Sequence, residues 1–184
     1  GEDGRFDLVG YSMGGWVATA YAADHPELVK RLILLAPAGM GANLGWAALL
    51  VRYVPLIGDW VFMSTYATHY RRGTEKDRAR YSYVDHVVER QQKELNYRGF
   101  VPSILSSMRG VLSASAVLDH QTLEEAKTDV LAIWGQDDTV IPISCKDVME
   151  GWNKEARHVV INGADHSLTY THVPEVMDAI DQAG

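Results

Sequence analysis

Apolar residues fall into short blocks separated by turn chemistry, and these blocks predict the elements. Phe6-Asp7-Leu8-Val9-Gly10-Tyr11 is a short strand-like run ending at glycine and Ser12. Small and helix-compatible residues follow from Met13 to Ala22 and should stop near Asp24-His25-Pro26, because a proline disfavours helix at the residue before it. Arg31-Leu32-Ile33-Leu34-Leu35, closed by Ala36-Pro37-Ala38-Gly39, reads as a buried strand. Strand, helix, strand at this spacing is a βαβ unit, which implies a parallel sheet with a right-handed crossover.

From Met40 to about Ala126 the pattern changes, and charges, aromatics and helix formers dominate without alternation. Helices are predicted over Leu44–Val51 and Trp60–Tyr70, separated by a turn at Pro55–Gly58, then over Asp77–Leu95 and Val101–Leu118. The βα pattern returns with a strand at Val130–Trp134, a helix at Ser144–Trp152, a strand at Arg157–Ile161 and a closing helix from Val173 to Ala183. The expected architecture is therefore α/β, a parallel sheet of about four strands interrupted by a helical insertion. Its parts are 1–39 (sheet), 40–126 (insertion) and 127–184 (sheet).

Composition narrows the function classes. The chain has 184 residues, is 47% hydrophobic and 22% charged, and so has ample apolar surface for an ordered core. Its 17 Lys+Arg and 24 Asp+Glu give a net charge of −7, without the basic stripe that nucleic acid requires. Cys145 is the single cysteine, so no internal disulfide forms, and a reducing, cytoplasmic compartment is expected. The longest apolar stretch, Leu44 to Met63, is broken by Arg52, Pro55, Gly58 and Asp59 and does not read as a membrane span.

The chemistry begins at Gly10-Tyr11-Ser12-Met13-Gly14, which matches G-x-S-x-G between a predicted strand and a predicted helix. In such an elbow the serine sits on a strained backbone, and the flanking glycines let strand and helix approach closely. The bland alternative is that Ser12 merely caps the helix. A serine hydroxyl needs a base and something to orient that base. Trp134-Gly135-Gln136-Asp137-Asp138 places two acids after a strand, and Gly163-Ala164-Asp165-His166 places a histidine after the last one. All lie beyond the carboxyl ends of parallel strands, where open α/β sheets bind ligands. His172 is a weaker rival base, and Asp165 reads as facing solvent or capping a turn. His25, His69, His86, His120 and His158 have no metal-ligand spacing, so no metal and no cofactor are expected. Cys145 lies near a helix start but has no neighbouring base and reads as packing.

On these residues the chain resembles the α/β-hydrolase family, specifically serine hydrolases with a helical cap of the esterase and monoacylglycerol-lipase kind. The resemblance rests on Asp7 to Gly15, Asp24-His25-Pro26-Glu27, Trp134 to Pro142 and Gly163 to His166. It implies that Ser12 is the nucleophile, His166 the general acid/base, Asp138 (in preference to Asp137) the orienting carboxylate, and the Met13 N–H an oxyanion donor. It further implies that the insertion is a cap shaping the pocket, with Tyr11, Trp46 and Val140 as substrate contacts. The apolar run through Leu44, Trp46, Leu49, Trp60 and Phe62 adds a second reading, a lid that also touches lipid.

The implied reaction is cleavage of a small-molecule carboxylic ester with an apolar acyl group. Carbon–carbon hydrolases, enol-lactonases and perhydrolases share the same triad, and a low-turnover binding or receptor protein on this scaffold is the rival from another class. Phe6–Tyr11 matches the fifth strand of the family's sheet. The expectation is therefore that this chain is the C-terminal part of a longer hydrolase, with the edge at Phe6–Tyr11 taken by an N-terminal segment or a dimer partner.

Overall fold

The computed structural model describes residues 4–41, 53, 54, 56–110, 112 and 114–183. The helix expected over Leu44–Val51 and the candidate contact Trp46 lie outside these residues. Four strands, β1 (Phe6–Tyr11), β2 (Val29–Leu35), β3 (Asp129–Gly135) and β4 (Arg157–Ile161), form one parallel sheet in the order β1-β2-β3-β4. Pairing runs from Asp7 opposite Arg31 to Tyr11 opposite Leu35, and from Arg31 opposite Asp129 to Leu35 opposite Ile133. All four strands therefore end along one rim, and the loops that leave β1, β3 and β4 there carry Ser12, Asp138 and His166.

Alternation along the strands divides the core between two faces. Ile33, Leu35, Leu131, Ile133 and Ile161 pack with Val176 and Ala179 of the last helix, α8 (Val173–Gln182), and with Leu168 of a single-turn helix, α7 (Leu168–Thr171). Leu32, Leu34, Val130, Ala132 and Trp134 occupy the alternate positions and are equally buried. Fully burying each of the large side chains contributes about 2 kcal/mol, so the central strands β2 and β3 dominate the core. The helix α1 (Met13–Asp24) packs on β1 and β2, and α5 (Val117–Glu125) packs on α1 and on α6 (Ser144–Trp152). Among the described residues β1 pairs only with β2, and Phe6 and Val9 on it are exposed.

The chain divides into two units, one comprising 1–42 and 114–184 and the other 43–113. The expected insertion ran to residue 126, whereas α5 belongs with the sheet. The reason is local: the Ala116 N–H donates to Gly39 O at 3.0 Å, and Ala116, His120 and Leu123 are buried.

The second unit contains α2 (Ile57–Glu75), α3 (Val87–Lys93) and α4 (Phe100–Arg109), with Phe62 and Leu105 at its small core beside Tyr66 and Met108. Two expected helices are interrupted here. Within Asp77–Leu95 the chain leaves helical geometry at Arg80; Ser82 Oγ accepts the Val84 N–H at 3.0 Å, and His86 adopts φ 55°. A serine turn thus competes successfully with the helix. Within Val101–Leu118, α4 ends at Gly110, whose φ −94°, ψ −107° no helix allows, and α5 starts afresh at Val117. Asp59 and Arg109 pair and tie α2 to α4. Among the described residues no helix is long and apolar enough to cross a membrane.

Candidate active site

Ser12 stands between β1 and α1 with φ 52°, ψ −121°, a conformation costly for a residue with a Cβ. The surrounding backbone over-determines it. The Ser12 N–H donates to Leu35 O, and Ser12 O accepts from both Gly15 N and Ala38 N, each at 2.9 Å. Close approach of strand and helix depends on Gly10, where a Cβ would lie 2.6 Å from Gly14 O and 2.7 Å from Gly15 Cα. The second indispensable glycine is Gly15 and not Gly14. A Cβ on Gly15 would meet Pro37 Cβ at 2.9 Å, whereas one on Gly14 meets nothing within 4 Å. Met13 opens α1, so its N–H has no acceptor inside the helix.

Across the rim, Asp138 is held with its side chain fully out of solvent. Its Oδ1 accepts the Val140 and Ile141 N–H groups at 2.7 and 2.8 Å, and its Oδ2 accepts the His166 Nδ1–H at 2.7 Å. A carboxylate only accepts, so the proton sits on Nδ1 and leaves Nε2 as an acceptor. His166 Nε2 lies 3.0 Å from Ser12 Oγ and takes its O–H. Three side chains separated by 126 and 28 positions in sequence thus form one hydrogen-bonded chain.

The loops bearing the acid and the histidine are knitted together. The Asp137 N–H donates to Ala164 O at 2.8 Å and the Gln136 N–H to Ile161 O at 3.0 Å, while a Cβ on Gly135 would lie 2.6 Å from Ala164 O. Asp137 is exposed and directs only its backbone into this junction, so the geometry separates the two adjacent acids. Asp165 Oδ1 accepts the Ser167 N–H at 2.9 Å and caps a turn, the second of the two roles expected of it. His172 lies 2.9 Å through Nδ1 from the Thr171 hydroxyl.

Tyr11 and Val140 enter the site in ways the sequence did not disclose. The Tyr11 hydroxyl donates to the backbone carbonyl of His166 at 2.6 Å, and its ring lies 5.2 Å from the imidazole. Burial, and then the nearby Tyr170, Asp138 and Asp165, push the Tyr11 phenol well above its usual pKa, so it stays a donor. Val140 contributes its N–H to Asp138 while its side chain is 56% exposed. Burial, together with Asp138, raises the Cys145 thiol, which makes it a packing residue and no thiolate. On the alternate face of the sheet, His120 is buried and its pKa is pushed down to about 4 by burial and by His158. His158 itself accepts the Trp134 indole N–H at 3.1 Å. Among the described residues no cluster of His, Cys, Asp or Glu could hold a metal ion.

A family profile described as the alpha/beta hydrolase fold matches residues 2–173. The chain belongs to the α/β hydrolase family. Among its relatives is a pimeloyl-(acyl-carrier protein) methyl ester esterase of Neisseria meningitidis serogroup B, 27% identical over 173 residues, covering 92% of this chain and 65% of that one. Another is a 2-hydroxymuconate semialdehyde hydrolase of a Pseudomonas species, 27% identical over 182 residues, covering 90% of this chain and 57% of the relative. The structure of Cfl2 from Burkholderia cenocepacia superposes with a TM-score of 0.71 at 19% identity, over all of this chain and 67% of that one. This α/β hydrolase chain thus spans somewhat under two thirds of the length of the curated relatives it matches.

Proposed function

We propose that this α/β hydrolase is a serine carboxylic ester hydrolase working through an acyl-enzyme. The observation that carries the reading is the continuous relay from Ser12 through His166 to a buried, doubly braced Asp138, with links of 3.0 and 2.7 Å, built on a strained elbow. Ser12 Oγ attacks the ester carbonyl as its proton passes to His166 Nε2. The Asp138 carboxylate stabilises the imidazolium and holds its orientation, and the Met13 N–H receives charge developing on the carbonyl oxygen. The imidazolium returns the proton to the leaving alcohol as the C–O bond breaks. Water, deprotonated by the same imidazole, then attacks the acyl-serine, and Ser12 departs with that proton to release the acid.

The likeness to a methyl ester esterase supports a carboxylic ester as substrate, and the apolar acyl group rests on the apolar run of the insertion. Residues 43–113 serve in this reading as the substrate-selecting cap, and the edge of β1 accepts a further strand from the rest of the hydrolase or from a second copy. Leu56 and Trp60, 81% and 72% exposed on that unit, support weak contact with a lipid surface.

A carbon–carbon bond hydrolase is the second reading, favoured by the likeness to 2-hydroxymuconate semialdehyde hydrolase. A series of nitrophenyl esters of increasing acyl length, given to the full-length protein, separates the two. The ester reading expects turnover rising from acetyl to longer chains. Cleavage of 2-hydroxymuconate semialdehyde with no ester turnover would replace it with the second reading, and no turnover or acylation at all would leave the receptor alternative.

A further inference from the structure

Three features separate Tyr11 from an ordinary residue of the elbow. Its hydroxyl reaches across 155 positions of sequence to the main-chain carbonyl of His166 at 2.6 Å. Its ring, tilted by 34°, lies 5.2 Å from the imidazole. It also immediately precedes Ser12 on the same strained turn, so one residue joins the end of β1 to the loop after β4. The Tyr11 hydroxyl thus bonds the main chain of His166 itself. The ring itself is held through Nδ1 by Asp138 and through Nε2 by Ser12. The loop is tied on either side of His166 by Asp137 N–H to Ala164 O and Leu168 N–H to Asp165 O. The Tyr11 bond adds a tie at His166 itself, and a displacement of about 1 Å at a reacting centre costs about a hundredfold in rate.

We propose that Tyr11 is a positioning residue that fixes the His166 main chain, and through it the imidazole, opposite Ser12. This rests on the serine hydrolase reading and replaces the expected role of Tyr11 as a substrate contact. The hydroxyl acts as donor and takes no part in proton transfer. Partial burial, and then Tyr170, Asp138 and Asp165, raise its pKa against a smaller opposing effect of the Thr169 side chain, so it keeps its proton throughout the working range of the imidazole. The bond therefore persists when His166 is neutral and when it is charged, as a tether must. The carbonyl it occupies is also held back from competing for the N–H groups of the loop.

The test uses Tyr11→Phe, which keeps the ring against the imidazole and deletes the tether, and Tyr11→Leu, which removes both, in the full-length protein. Steady-state kinetics on a nitrophenyl ester should show kcat reduced roughly three- to tenfold in Tyr11→Phe, the worth of one neutral hydrogen bond, and further in Tyr11→Leu, with KM within about twofold. A KM increase at unchanged kcat would restore Tyr11 as a substrate contact. A lowered thermal midpoint with kcat and KM both unchanged would make it a structural residue only.

Proton NMR tests the tether without relying on turnover. The Nδ1–H shared between His166 and Asp138 should give a far-downfield resonance that persists in Ser12→Ala but broadens or exchanges faster in Tyr11→Phe. An identical resonance in Tyr11→Phe overturns the proposal. An inactive natural protein with the resonance responding as described overturns the hydrolase reading and leaves the tether standing.

Discussion

Replacing Asp138 by asparagine probes the relay where its hydrogen-bond inventory is most constrained. Oδ1 receives two backbone N–H groups at 2.7 and 2.8 Å, so an asparagine must keep its carbonyl oxygen there or leave two buried donors facing its NH2. The NH2 then turns to His166 Nδ1, where the natural carboxylate accepts a proton at 2.7 Å. Two donors cannot share that line, so the imidazole moves its proton to Nε2. That nitrogen can no longer take the Ser12 hydroxyl proton. In serine triads the wrong tautomer lowers kcat about ten-thousandfold, which is about 5 kcal/mol of barrier at roughly 1.4 kcal/mol per decade. The fold itself keeps both braces and a neutral bond to the ring, so it should lose only about 1 kcal/mol of stability. The assay is nitrophenyl ester turnover at neutral pH, with Asp137→Asn as the neighbouring control. Asp138→Asn within tenfold of the natural protein, or Asp137→Asn equally impaired, would refute the assignment of the acid.

Three further outcomes follow from the geometry. Ser12→Gly should abolish acylation yet raise the unfolding free energy by about 1 kcal/mol, read from urea midpoints, because glycine accepts the φ of 52° without strain. Gly10→Ala should destabilise by about 3 kcal/mol or fail to fold, since the atoms at 2.6 and 2.7 Å belong to the backbone and cannot swing away. His120, with an ordinary value of 6.5 and about 4 when folded, binds its proton more readily in the unfolded chain. Stability should therefore fall as pH drops through that window and the loss should be complete below it, reaching up to about 3 kcal/mol. The urea midpoint of His120→Leu should be less sensitive than the natural protein's to a change from neutral pH to about pH 5.

The parts of this protein that were legible in the sequence are those where one local rule dominates. The strands Phe6–Tyr11 and Arg157–Ile161 and the helix Ser144–Trp152 coincide with their apolar blocks, because turn residues bound each block on both sides. The elbow was legible because Gly10 and Ser12 meet a packing limit and a strain limit in a single turn. Where several weak preferences compete, reading along the chain failed. The Ser82 turn and the left-handed His86 interrupt what composition alone presents as continuous helix. The single turn Leu168–Thr171 carries too few residues for any period to register.

Tertiary partners were the least accessible. Nothing near Ala116 announces that its N–H meets Gly39, nor that α5 therefore joins the sheet and not the insertion. The preference for Asp138 came from family spacing, whereas its physical cause is the pair of N–H groups that the backbone at Val140 and Ile141 turns back on it. The packing need for Gly15 is not legible along the chain, because Pro37, on another loop, sets it. The Tyr11 hydroxyl bond to His166 leaves no local signature at all, because its two ends are set by different strands of the finished sheet.

The central claim is that Ser12 is an activated nucleophile, and covalent trapping tests it most directly. The full-length protein is treated with a fluorophosphonate and the modified peptide is mapped by mass spectrometry. The account requires a single stoichiometric adduct on Ser12, absent in Ser12→Ala and formed orders of magnitude more slowly in His166→Ala. An adduct that persists in Ser12→Ala, or an untouched Ser12 in a folded natural protein, would contradict it.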